Sequence, residues 1–371
     1  MQGAHFIGND RIESLLKIYN PSDNFNKIIL NTNYRSSKDI VDLSNKIADL
    51  RIDKLYKNKR NDYIEKPIRD NTEKPFLLKG DIDDKLKLLN MVKERHYVAI
   101  VVCDEEDKNR LKYDLGIEEN VFTVSEIKGI EKKYIICYNI ISKYYKVWEK
   151  ILKGIDYDNH SLYRYYFNMM YVAITRAREY ITFFEDRNVD YFYDNIKDYI
   201  QIEEKFNEDI MMFDYKSSED DFYDEGLYLE SRGKYEQAIS QYKKSSHKKV
   251  DVCINRCKAL MVREEGKYFE AGGKLLKIKE YSLASECYRE AQSYNNLLKC
   301  LVLDSKNYED ILYEFENISI NPIELMLSEK SKADWVDKFY NLYEEYLSRK
   351  IHKNNENIEL IKAIVESIQN R

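Results

Sequence analysis

The 371-residue chain reads as an α/β domain on a parallel sheet, followed by an all-α domain of helical repeats. Three observations lead there. Short runs in the first 200 residues are apolar throughout and alternate with helical patterns, as in a parallel sheet covered on both faces. No convincing strand follows residue 226. Two stretches of the second half also repeat each other's Tyr and Ala positions. The boundaries fall at 1–200 for the first domain, 201–222 for an acidic linker and 223–371 for the second domain.

The elements follow in order. "NKIILNTN" (26–33) predicts a buried strand. "SSKDIVDLSNKIADL" (36–50) predicts a helix with Ser36 or Ser37 as N-cap and with Ile40, Leu43 and Ile47 at helical spacing. "YVAIVV" (97–102), "VFTV" (121–124) and "KYIICYNI" (133–140) predict three strands. "FNMMYVAITRAREY" (167–180) predicts a helix, and "ITFFE" (181–185) a strand. "CDEEDKNR" (103–110) reads as a charged loop. In the second half, Gly226, Tyr235, Ala238 and Tyr242 match Gly272, Tyr281, Ala284 and Tyr288 at an offset of 46 residues. Helical patterns over 294–315 and 332–370 continue the stack.

Composition narrows the partners. The net charge is −6, so a basic nucleic-acid coat is absent overall. The charge is unevenly spread. Residues 1–200 carry 34 Lys and Arg against 33 Asp and Glu, and the remainder carries 26 against 33. A polyanion partner therefore belongs on the first half. Cys253 and Cys257 share a helical face, but no His or Cys follows at metal spacing, so both read as core residues. No apolar run approaches membrane-spanning length, and the first residues lack a secretory signal, so a cytoplasmic location without membrane association is expected.

"MYVAITRAR" (170–178) poses the functional question, because an apolar run ends in two arginines. Periodicity alone allows an amphipathic helix with solvated cations, or a helix that presents a guanidinium to phosphate. Two further stretches bear on the choice. "LNTNYRSSKDIVDLSNKI" (30–47) resembles the L-x-x-N-Y-R-S segment of UvrD/Rep-like superfamily 1 helicases. "TVSEIKGIEKKYIICYNI" (123–140) resembles their T-x-H-x-x-K-G-L-E segment, and "NMMYVAITRAREYITFF" (168–184) their Y-V-A-x-T-R-A segment. All three occur in the family's order, over about residues 20–190.

The resemblance implies the second RecA-like motor domain of such an enzyme. A motor of this kind hydrolyses ATP with Mg²⁺ between two domains, one of which contributes arginines to the γ-phosphate. By resemblance, Arg176 is the arginine finger at a helix start and Arg35 the second γ-phosphate contact. Glu131 accepts from the ATP ribose, Gly129 gives the tight turn before it, and Tyr34 and Tyr171 pack against and position the arginines. Thr123, Ser125 and Lys128 fall in the segment that links nucleotide to single-stranded DNA. Arg178 faces solvent or the linker. The second half resembles tetratricopeptide helices, whose repeats bind protein partners. "GAHFIGNDRIESLL" (3–16) resembles a segment of large helicase-like proteins bearing tetratricopeptide and ankyrin repeats.

Departures qualify these expectations. Ser125 stands where the family has a DNA-contacting histidine. The space between "NYRSS" and "TVSEIKGIE" is too short for the family's large accessory domain. It does contain the basic stretch "RIDKLYKNKR" (51–60), which reads as a solvated helix end or a backbone-following segment. No G-x-x-x-x-G-K-[ST] loop occurs, so ATP hydrolysis by this chain alone is not expected. The expected role is the C-terminal half of an ATP-dependent helicase or translocase that needs a phosphate-loop motor domain as partner. The alternative is a non-enzymatic interaction module with a remnant RecA-like domain.

Overall fold

The computed structural model describes residue 18 and residues 31–56, 64–70, 73–154, 160–209, 215–328 and 334–351. The stretch 3–16 and residues 26–30 of the first expected strand lie outside the described residues.

The α/β part opens with β1 (Thr32–Ser37), α1 (Lys38–Leu55), β2 (Lys66–Arg69), β3 (Phe76–Leu78) and α2 (Ile82–Glu94). Then come β4 (Val98–Val102), α3 (Glu105–Leu115), β5 (Val121–Thr123), β6 (Lys132–Tyr138) and α4 (Tyr145–Lys153). It closes with α5 (His160–Ile174), β7 (Ala177–Phe184), α6 (Asp190–Tyr193) and β8 (Gln201–Glu203). Six strands form one parallel sheet in the order β5-β4-β6-β7-β3-β8, and β1 pairs with β2 in a separate parallel pair.

Apolar strands do what a doubly covered sheet requires. Val98 through Val102 are all buried. Ala99, Val101, Ile135, Cys137, Ile181 and Phe183 join one core with residues of α1, α4 and α5. Their neighbours Val98, Ile100, Val102, Tyr134, Ile136 and Tyr138 join the opposite core with residues of α2 and α3. Strand alternation thus feeds both faces.

Several sequence expectations change. Ser37 precedes α1, but neither serine caps it with its side chain; both hydroxyls donate to β7 instead. "CDEEDKNR" is not a loop: Asp104 caps α3, its carboxylate accepting from the Asp107 amide at 3.2 Å. The expected helix over 167–180 ends at Ile174, and Ala177 to Tyr180 already belong to β7. The reason is register: Lys132 and Tyr134 of β6 claim Ala177 and Tyr180 as ladder partners. Within the stretch read as a linker, 201–203 form the outermost strand beside β3.

The rest of the described chain is helical: α7 (Glu219–Ser231), α8 (Tyr235–Tyr242), α9 (Val250–Glu264), α10 (Tyr268–Lys277), α11 (Tyr281–Glu290), α12 (Tyr294–Leu303), α13 (Tyr308–Asn317), α14 (Pro322–Ser328) and α15 (Asp334–Ile351). The matched glycines and tyrosines meet. A Cβ on Gly226 would lie 2.5 Å from the Tyr242 ring, and one on Gly272 would lie 3.0 Å from the Tyr288 ring. The 46-residue offset is not the elementary repeat. Gly233, Tyr235 and Ala238 recur as Gly266, Tyr268 and Ala271 after 33 residues, and α10, α11 and α12 then open on tyrosines 13 residues apart. Gly266, Lys279, Gln292 and Ser305 keep that interval, each with positive φ in the turn after a helix. A left-handed residue there ends each short helix and starts the next.

The two parts share a core. Leu229, Ala238, Tyr242, Cys253 and Cys257 belong to the same apolar cluster as the α1 and α5 side of the sheet. Polar contacts reinforce the seam: Gln241 donates to the Asn120 side chain at 3.1 Å, and Lys244 to the Lys93 carbonyl at 2.7 Å.

Candidate functional site

Strand pairing assembles the site. In parallel register Lys132 faces Ala177, so the preceding residues, Glu131 and Arg176, emerge together at the N-terminal edge of the sheet. The Lys132 amide donates to the Arg176 carbonyl at 3.1 Å. Arg35 arrives from β1, which the serine hydroxyls fasten alongside β7. Ser36 Oγ donates to the Ala177 carbonyl at 2.7 Å and Ser37 Oγ to the Glu179 carbonyl at 3.2 Å. The β3 ladder begins only at Thr182, so these serines serve the part of β7 that lies ahead of it.

Arg35 Nε then lies 2.6 Å from Glu131 Oε1, and its Nη1 donates to the Thr175 carbonyl at 3.4 Å. Asn33 shapes the approach, its Oδ1 accepting from the Arg35 and Ser36 amides at 2.9 and 3.0 Å. Its Nδ2 donates to Glu65 Oε2 at 2.6 Å, while Glu65 Oε1 accepts from the Tyr171 hydroxyl at 2.6 Å. Asn45 holds the Glu65 backbone in both directions, at 2.9 and 3.0 Å. Glu65 therefore joins the "NYRSS" and "MYVAITRAR" segments. Nothing in the sequence around "YIEKP" marks it, because its role is a contact between distant segments.

Arg176 occupies the turn between α5 and β7, past the end of a helix and not at its start. Its Nη2 donates to Thr175 Oγ1 at 3.3 Å, and its Nε is buried without a hydrogen-bond partner. Among the described residues no carboxylate pairs with it. Burial, and then the like charge of Arg35, push the guanidinium below its ordinary pKa, against the pull of Glu131. Arg178, two residues on, is exposed, as the sequence suggests.

The remaining expected residues separate. Gly129 has φ +84°, the left-handed conformation its turn requires. Tyr34 does not pack on the arginines: it is 71% exposed, and positioning falls to Tyr171 through Glu65. Thr123 is buried, and its Oγ1 accepts from the Glu126 amide while Glu126 Oε2 accepts from the Thr123 amide, at 3.2 and 2.8 Å. This reciprocal turn presents Ser125 and Lys128 to solvent. Residues 124–131 run from the C-terminal edge of the sheet at Thr123 to the N-terminal edge at Glu131. In the basic stretch, Arg51 turns inward to Asn168 Oδ1 at 3.0 Å; residues 57–60 lie outside the described residues.

The opposite edge of the sheet carries a polar cluster that sequence reading missed. Glu185, just past β7, accepts from the Ile141 and Ser142 amides at 3.1 and 2.8 Å and from the Tyr193 hydroxyl at 2.8 Å. Burial raises its pKa to about 7, although these donors oppose the shift. Lys143 nearby meets Asp104, Glu106 and Asp107 at 3.4, 2.7 and 3.2 Å. These groups answer one another and close the loops. All six cysteines are free and buried, and no described helix is long and apolar enough to cross a membrane.

No family model matches the chain, and no curated protein does. Among solved structures it is similar to the C-terminal domain of a possible DNA helicase from Lactobacillus plantarum WCFS1. That likeness has 13% identity and a TM-score of 0.28, and covers 46% of this chain and 98% of that one.

Proposed function

We propose that the chain is the arginine-bearing half of an ATP-dependent, UvrD-like DNA helicase or translocase. One observation carries the reading. Arg176 is half-buried beside a second guanidinium, with its Nε wholly buried and unpaired. Leaving a buried cation without a counter-ion costs stability. An anion delivered from outside would remove that cost, and a phosphate group matches the guanidinium fork.

In this reading a phosphate-loop domain, from another chain or another segment, holds ATP with Mg²⁺. Arg176 and Arg35 neutralise charge developing on the γ-phosphate, and Glu131 accepts from the ribose. The exposed ring of Tyr34, next to Arg35, offers a stacking surface for the base. The loop with Ser125 and Lys128 follows single-stranded DNA, the helical array takes a protein partner, and the six free cysteines suit a reducing cytoplasm.

The test is anion binding by the full chain. Inorganic tripolyphosphate should bind, and Arg176→Ala should abolish binding while leaving the melting temperature in place. Wild-type chain that ignores tripolyphosphate, or Arg176→Ala that binds it unchanged, would favour the non-enzymatic module.

A further inference from the structure

Glu131 and Lys132 are adjacent but face opposite ways. Glu131 turns outward to Arg35. Lys132 turns inward, its side chain 2% exposed, and its Nζ donates to Glu225 Oε1 and to the His96 carbonyl, both at 2.6 Å. Glu225 belongs to α7, the first helix of the array, and is itself largely buried. The Lys132 amide holds the Arg176 carbonyl. One residue thus ties the array to the turn that carries Arg176.

We propose that Glu225 is a positioning residue for Arg176, acting through Lys132, and that occupancy of the arginine site is thereby transmitted to the helical array. The inference rests on the anion-site reading given above. Its physical basis is the cost of the buried ammonium. Water is excluded from Lys132, so its charge is tolerable only where Glu225 and the His96 carbonyl meet it. Any shift of the Lys132 backbone that follows Arg176 therefore drags α7 with it or breaks a buried ion pair. The surrounding seam allows little independent movement. Tyr97 donates to the Tyr215 carbonyl at 2.9 Å, and Ser217 Oγ accepts from the His96 amide at 3.0 Å.

Hydrogen–deuterium exchange on the full wild-type chain, with and without inorganic tripolyphosphate, tests this without any substitution. Protection is expected in peptides covering 174–180 and also in those covering 219–231. Protection at 174–180 with none at 219–231 overturns the inference and leaves the anion site standing. Protection at neither overturns the anion site, and the inference with it. Titration of variants adds a second measurement. Glu225→Gln should weaken tripolyphosphate binding about tenfold, and Glu225→Asp, which keeps the charge, should restore most of the affinity. Glu230→Gln is the control, because Glu230 holds Arg256 at 2.5 Å within the array and has no contact with Lys132. It should lower the melting temperature without changing affinity. Equal affinity loss in Glu230→Gln and Glu225→Gln would reduce Glu225 to a merely structural residue and overturn the proposal.

Discussion

Arg35 and Glu131 form a 2.6 Å ion pair between the separate β1–β2 sheet and the main sheet, with 38% and 36% of their side chains exposed. At that exposure the pair adds little stability, of the order of 1 kcal/mol or less. Its consequence is electrostatic: Glu131 offsets one of two neighbouring guanidinium charges. Glu131→Gln should therefore bind inorganic tripolyphosphate several-fold more tightly, since the site becomes more positive. The gain should be smaller for ATP, because the ribose exchanges a carboxylate acceptor for the weaker neutral amide oxygen of glutamine. Calorimetric titration with both ligands separates these effects. Equal gains for both would remove Glu131 from ribose recognition.

Arg176 should matter to turnover and not to folding. No DNA-stimulated ATPase activity is expected from the chain alone. When it is paired with a phosphate-loop motor domain that restores activity, Arg176→Lys should lower turnover by about 10³–10⁵, because lysine lacks the bidentate fork. Its melting temperature should stay level or rise slightly, as the buried Nε has no partner to lose. Full turnover in Arg176→Lys, or a large loss of stability, would return Arg176 to a structural role.

Glu185 should leave a mark on the pH dependence of stability. Its folded pKa, about 7, lies above the ordinary 4.5 of an unfolded chain. Between those values the native state keeps a proton that the unfolded state releases, so stability falls as pH rises through the window. The full difference is worth about 3 kcal/mol. Urea unfolding of wild type and Glu185→Gln at pH 5 and pH 7.5 should show the variant's deficit shrinking at the higher pH. A deficit that is the same at both values would mean that Glu185 does not titrate there.

The helix crossings should rank two glycines. Alanine normally favours a helix by about 1 kcal/mol over glycine. At Gly226 the new methyl would sit 2.5 Å from the Tyr242 ring, whereas at Gly272 it would sit 3.0 Å from the Tyr288 ring. Tyr242 is wholly buried and tied to Glu230 at 2.7 Å, so it has no room to yield. Gly226→Ala should cost about 1–3 kcal/mol by overpacking, and Gly272→Ala distinctly less. Thermal unfolding of the two variants gives the order.

Local rules carried much of the fold. The β-branched runs at 97–102, 121–124 and 133–140 could hardly be anything but buried strands, because their side chains suit a pleated surface covered on both faces. The Tyr and Ala pattern likewise marked helices that approach closely. "NYRSS", "IKGIE" and "AITRAR" named Arg35, Glu131 and Arg176 without saying how they meet.

Tertiary structure decided the rest, wherever two distant segments compete for one group. Ser36 and Ser37 are ordinary capping residues by composition, yet β7 carbonyls claim their hydroxyls. Ala177 to Tyr180 continue a helical pattern, yet the β6 ladder draws them into a strand and leaves Arg176 in the turn. Glu65, Glu185 and Glu225 look like surface acids, and each is defined by donors far away in the chain. Periodicity records which faces are apolar. It does not record which buried donor a given oxygen will satisfy, because that depends on where the sheet brings the donor.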